Sequence, residues 1–162
     1  MAARKSVQNA RLSKQIRALH GALIEIVSIM NRPQRDEVLI RAAGIPLERA
    51  LFPLLVGIER FGPIGVVELA DRAGRDYTTV SRQVAKLESL GLVERRESAA
   101  DRRVREAIVT AKGKAMTDRV DAARERIGGV IFETWDPHDI DELVRLTRKF
   151  ADAVRDEPAS GG

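Results

Sequence analysis

Three observations in this sequence predict a mostly α-helical chain with one small β-hairpin wing. Residues 66–110 read as two short helical patterns parted by Gly74, followed at once by an Arg-rich hairpin. Long apolar stripes, spaced by three and four residues, occupy both ends of the chain. Glycine and proline fall where these patterns stop. Helix, turn, helix and hairpin in this order is the sequence form of a winged helix-turn-helix. The expected organisation is a winged region over 36–110, a helical dimerisation region from 7–35 and 111–156, and a disordered tail at 157–162.

The chain has 162 residues, 44% hydrophobic and 32% charged. A chain of this length buries roughly 68–70% of its unfolded surface on folding, so neither metal nor disulfide is required. It has no cysteine. Disulfides, Cys-bearing zinc sites and thiol redox sensing are therefore excluded, and a reducing compartment suits it. The net charge of +4 and pI of about 9.8 favour an anionic partner. No apolar run approaches the roughly 20 residues of a membrane span, and no apolar segment of a secretory signal opens the chain. A cytoplasmic protein without membrane contact is expected.

Residues 1–24 carry Arg4, Lys5, Arg11, Lys14 and Arg17, and no acid precedes Glu25. Either a phosphate-touching arm or a solvated helix face with a frayed end fits this run. Leu12, Ile16, Leu19, Leu23, Ile26 and Met30 form a heptad stripe on a helix of about five turns, which Pro33 ends. Residues 36–43 predict a short helix capped by Asp36 and stopped by Gly44. Another is expected from Leu47 to about Arg60, burying Leu51, Leu54, Leu55 and Ile58 and bent by Pro53. The FGPIG run at 61–65 suits a very short strand.

Val67, Leu69 and Ala70 are the expected core positions of the next helix, and Gly74 is its left-handed stop. Asp76 is placed to cap the following helix, in which Val80, Val84 and Leu87 make one core-facing stripe. Rotation by about 100° per residue puts Thr78, Arg82, Ala85, Lys86 and Ser89 opposite that stripe. Ser81 and Thr79 lie to either side, with Tyr77 and Gln83 nearer the core boundary. A face of hydroxyls, cations and one small residue, without an acid before Glu88, is what a helix entering the major groove needs. The plain alternative is a solvated helix face.

Leu92 to Arg96 begins a strand, Ser98 to Arg103 turns, and Val104 to Val109 returns, with Val104, Ile108 and Val109 as apolar anchors. Arginines at the tip of such a wing reach the minor groove, where the potential is most negative. Asp101 is expected to orient a neighbouring guanidinium. The expected DNA-binding set is Tyr77, Thr78, Thr79, Ser81, Arg82, Gln83, Lys86, Asp101, Arg102 and Arg103. Total charge would not reveal it, because residues 66–110 hold nine basic against eight acidic residues, a net of +1.

At this point the sequence resembles the MarR family of winged-helix transcriptional regulators. The matching residues are ELADRAG, TTVSRQVAKLESLGLVERR, the D-x-R of Asp101 to Arg103 and the T-x-K-G of Thr110 to Gly113. The match is strong over about 66–113 and one of pattern only beyond. The resemblance implies a homodimer with interlocked terminal helices, binding double-stranded DNA at a pseudo-palindromic operator. It implies that Arg103 is the minor-groove arginine, with Asp101 as its support. It also implies a small-molecule effector, an organic anion or phenolic compound, acting on the separation of the two reading helices. Pro53 and an aromatic content of only 4% depart from the family pattern.

From Ala111 a long helix carries Met116, Val120, Ala123, Ile127 and Val130, with Gly128-Gly129 as an expected interruption. Asp136-Pro137 opens a further helix whose stripe is Ile140, Leu143, Val144, Thr147, Phe150 and Val154. These stripes exceed what a small winged domain needs, which points to a shared dimer core through Leu12, Ile16, Leu19, Leu23, Ile127, Leu143 and Phe150. A monomeric helical cap is the alternative. His20 and His138 lack partners at metal-ligand spacing; a ligand role for His20 stands beside a structural one, and Trp135 reads as a packing residue. No glycine-rich phosphate loop or nucleophile motif is present, so neither an enzyme nor a cofactor is expected. The competing function is a winged helix that binds protein rather than DNA.

Overall fold

The computed structural model describes residues 2–156, with side chains from residue 8 onward; the expected tail at 157–162 lies outside the described residues. Seven helices and three strands follow in order. They are α1 (Ala2–Met30), α2 (Pro33–Ala43), α3 (Phe52–Phe61), β1 (Ile64–Gly65), α4 (Val66–Ala73) and α5 (Tyr77–Ser89). Then come β2 (Val93–Glu97), β3 (Arg105–Val109), α6 (Ala111–Phe132) and α7 (Pro137–Asp156). The predominantly helical fold with a small wing is confirmed. Two compact units divide between Ala122 and Ala123, inside α6.

In the first unit the core gathers around α3 and α5. Leu54, Leu55 and Ile58 of α3, Leu69 of α4, and Val80, Val84 and Leu87 of α5 are at most 1% exposed. Each such side chain contributes on the order of 1.5–3 kcal/mol by leaving water. The strands form an antiparallel sheet in the order β1-β3-β2. Val93 faces Val109 and Glu97 faces Arg105 along the hairpin, while Ile64 pairs with Ala107. The inward residues of the sheet are Ile64, Val93 and Ala107.

Several local expectations are corrected. Helix α1 has 29 residues, longer than the five turns expected, and takes in the basic run that was read as either a phosphate-touching arm or a solvated helix face with a frayed end; the side chains of Arg4 and Lys5 lie outside the described residues. Helix α2 starts at Pro33, not beyond Asp36. Proline presets the first helical φ and holds Arg32 extended at the N-cap, so Asp36 falls in the first turn rather than at the cap position. Helix α3 starts at Phe52 rather than Leu47, because a turn with Leu51 N–H donating to Glu48 O precedes it. Pro53 therefore sits in the first turn, where a missing N–H costs no hydrogen bond, and it bends nothing. Val67 is 64% exposed, and of the three expected wing anchors Val104 is exposed and Ile108 and Val109 are half-buried, while Ala107, not among them, is the buried residue of the returning strand. Gly128-Gly129 does not interrupt α6, which runs on to Phe132.

In the second unit Asp136 accepts from the His138 N–H at 2.8 Å and opens α7 as expected. Phe132 and Trp135 meet edge to face, their centroids 5.2 Å apart. No residue of α7 is buried, although Leu143, Val144, Leu146, Phe150 and Val154 line it. Helix α1 is the same: Leu12, Ile16, Leu19, Ile26 and Met30 are exposed, and Leu23 is half-buried. Among the described residues, no helix is long and apolar enough to cross a membrane.

Candidate nucleic-acid interface

The reading helix is set by its two neighbours. Gly74 takes φ 60, the left-handed value that glycine adopts without a Cβ penalty, and its N–H closes the end of α4 on Ala70 and Asp71 carbonyls. Two residues on, the Asp76 carboxylate accepts from the Thr79 N–H at 2.8 Å and starts α5. With Val80, Val84 and Leu87 at 0% exposure, helical geometry leaves no choice about the opposite face. Tyr77, Thr78, Thr79, Arg82 and Lys86 are exposed, and Ser81 and Gln83 are half-buried flanks.

Hydrogen bonding from Thr79, by side chain and backbone, holds the Asp76 carboxyl below its ordinary value of 3.8. A carboxylate favoured in the folded state stabilises above the unfolded value and loses that contribution as pH falls through the folded one. The stability difference between wild type and Asp76→Ala is therefore expected to be constant at neutral pH and to shrink below about pH 4. Urea unfolding at pH 7, 5 and 3 measures it, and a difference that grows toward acid would contradict the cap.

The wing tip is built by short polar side chains. Ser98 N–H donates to Val104 O at 2.9 Å, Ala100 N–H to Ser98 Oγ at 3.3 Å, and Val104 N–H to Asp101 O at 2.9 Å. The Asp101 carboxylate accepts from the backbone N–H of Arg103 at 2.9 Å. The expectation that Asp101 orients a guanidinium is corrected: it shapes the loop from which Arg103 projects. Arg102, Arg103 and Arg105 are exposed.

Five contacts beyond the reach of sequence reasoning join these parts. Arg95 of β2 places Nε 3.3 Å from Glu88 Oε2 and Nη2 3.4 Å from Ser81 O, tying the wing to the reading helix. The Thr110 hydroxyl donates to Gly91 O at 2.7 Å and accepts from the Gly113 N–H at 3.1 Å, while Lys112 Nζ donates to Leu90 O at 2.7 Å. The T-x-K-G run thus locks the end of α5 to the start of α6. A groove of about 630 Å³ runs between α4, the start of α5 and the wing; Tyr77, Arg95, Arg103 and Arg105 share its walls.

Acids and cations are used unequally here. Asp76, Glu88 and Asp101 are each engaged within the protein, by Thr79, Arg95 and Arg103 N–H respectively. Among the described residues, Arg82, Lys86, Arg102, Arg103 and Arg105 take part in no ion pair. Asp71, Glu94 and Glu97 of the same segment are likewise exposed without an ion pair among the described residues, so the positive face comes from where these cations sit, on α5 and the wing, and not from the segment's net charge. Among the described residues no cluster of His, Asp or Glu is placed to hold a metal. His20 lies exposed on α1, away from this face in sequence and element.

Comparison with known proteins agrees with the fold. The family model described as MarR family matches residues 47–104. An uncharacterized HTH-type transcriptional regulator, YxaD of Bacillus subtilis (strain 168), is 40% identical over 70 residues, 43% of this chain. The chain matches about half that relative's length, 49%. A MarR family protein from Bacillus stearothermophilus superposes with a TM-score of 0.69 at 21% identity, covering 88% of this chain and 97% of the other. The crystal structure of MarR superposes with a TM-score of 0.62 at 27% identity, covering 82% and 98%.

Proposed function

From the match of residues 47–104 to the MarR family model and the superposition on MarR, we propose that this chain is a MarR-type winged helix-turn-helix regulator that binds double-stranded DNA sequence-specifically as a homodimeric repressor. The carrying observation is the set of exposed, unpaired cations on two adjoining elements, α5 and the wing. In this reading α5 enters the major groove with Thr78, Thr79, Ser81, Arg82 and Lys86, and Tyr77 and Gln83 flank it. The wing brings Arg102 and Arg103 to the minor groove, with Asp101 holding the loop. Support for the dimer comes from the apolar faces of α1 and α7, which a single chain leaves in water. A second copy is the cover that such stripes fit. Two copies then read a pseudo-palindrome with half-sites about one helical turn apart. A small organic effector would act by changing the separation of the reading helices.

The test is selection of bound fragments from random double-stranded DNA, followed by titration in rising salt. A two-fold symmetric site should emerge, and with several phosphate contacts affinity should fall by roughly 10³-fold or more between 50 and 200 mM salt. Light scattering should give twice the 17.9 kDa chain mass. A protein-binding winged helix would enrich no sequence and show little salt dependence, and that result would overturn the reading.

A further inference from the structure

Arg75 lies in the turn between α4 and α5, and one of its nitrogens spans two distant parts of the fold. Nη1 donates to the Ala50 carbonyl at 2.9 Å and to Gln83 Oε1 at 3.1 Å. Ala50 immediately precedes the buried Leu51 and Phe52, so Arg75 is anchored on the scaffold rather than on α5 itself. The second contact has a chemical consequence. The two ends of a glutamine amide have nearly the same shape, and only their partners decide which way the group faces. A guanidinium offers five donors and no acceptor. Beside Arg75 the Gln83 oxygen must point inward, and the NH₂ must point away.

Gln83 is half-buried on the flank of α5 that carries Thr79 four residues before and Lys86 three residues after. We propose that Arg75 is a positioning residue for DNA reading, which holds Gln83 so that its side-chain NH₂ alone meets the DNA. Gln83 then recognises an acceptor, either a phosphate oxygen or the acceptor edge of guanine or thymine. The two-point contact with adenine, which uses amide oxygen and nitrogen together, would need the second lone pair of an oxygen that Arg75 turns away from the DNA. This inference rests on the DNA-reading function proposed above.

The experiment is a double-mutant cycle on the full chain, with the DNA site selected by wild type. Gln83→Met removes the donor at constant volume, and Arg75→Ala removes the positioning group. Each single substitution is expected to weaken binding roughly 3- to 10-fold, as loss of one hydrogen bond does. Arg75→Ala in the Gln83→Met background is expected to cost less than about 2-fold more, because coupled residues do not add. A purely structural Arg75 would give additive losses, which would overturn the inference. A Gln83→Met loss that is equal across all single-base variants of the site assigns a phosphate. A loss confined to variants retaining guanine or thymine at one position per half-site assigns a base edge. An adenine whose selection disappears with Gln83→Met would sink the inference. If Arg75→Ala does not fold, Gln83→Met and the selected bases decide by the same criteria. Wild-type protein that enriches no DNA overturns the proposed function and this inference together; additive losses on an enriched site overturn the inference alone.

Discussion

Replacing Arg82 and Arg103 together by alanine is expected to abolish specific DNA binding while leaving the fold intact. Both side chains are exposed, and among the described residues neither takes part in an ion pair or side-chain hydrogen bond. Their removal therefore leaves no buried partner orphaned, and Tm should stay within a few degrees of wild type. On DNA the loss is expected to be large, because the proposed dimer would make each contact twice. Four contacts worth about 1 kcal/mol each, the low end for a good arginine contact, already amount to roughly a thousandfold in affinity. The single substitutions should separate by kind. Arg82→Ala should relax base preference at one position in each half-site. Arg103→Ala should weaken binding across sites that differ in minor-groove width. Retention of sequence-specific binding by the double variant would show that these residues do not read the DNA.

Gly113→Ala is expected to destabilise the first unit by about 3 kcal/mol or more, the upper range for forced overpacking. The sign is not obvious, because alanine is the better helix former by about 1 kcal/mol at an ordinary helical position. Here a Cβ would lie 2.0 Å from Leu92 O and 2.7 Å from Val109 Cγ2. The Leu92 carbonyl cannot retreat cheaply, since it accepts from the Thr110 N–H at 3.0 Å and Leu92 is only 2% exposed. The clash outweighs the propensity. Gly128→Ala in the same helix meets nothing within 4 Å and should be neutral or slightly stabilising. Chemical denaturation of both variants decides. A Gly113→Ala protein as stable as wild type would show that the α5–α6 lock gives way without cost.

That lock also shows how sequence and structure divide the explanation. T-x-K-G stood out as a family resemblance, but its spacing alone offered no physical reason for the glycine. The reason lies in a carbonyl twenty-one residues earlier, brought close by the hairpin. Arg75 and Arg95 escaped notice for the same cause. Their partners, Ala50 and Ser81, are twenty-five and fourteen residues away, and nothing in local periodicity points that far. Val67 shows the limit from the other side. It was placed in the core because it is apolar, yet α4 is two turns long and buries only the face that α3 and α5 cover, leaving Val67 in solvent.

What the sequence determined by itself was local. Gly74 ends one helix and Asp76 starts the next, because left-handed backbone and N-capping depend on adjacent residues alone. The stripe of Val80, Val84 and Leu87 decides which side of α5 faces outward, since helical rotation admits one answer once the buried face is known. What only the tertiary structure decided was how charge and amides are spent. It engages Asp76, Glu88 and Asp101 internally, aims the Gln83 amide through Arg75, and binds the wing to the reading helix through Arg95. Hydrogen bonds and ion pairs act over about 3–4 Å, so they depend on which distant residues the packed core brings together.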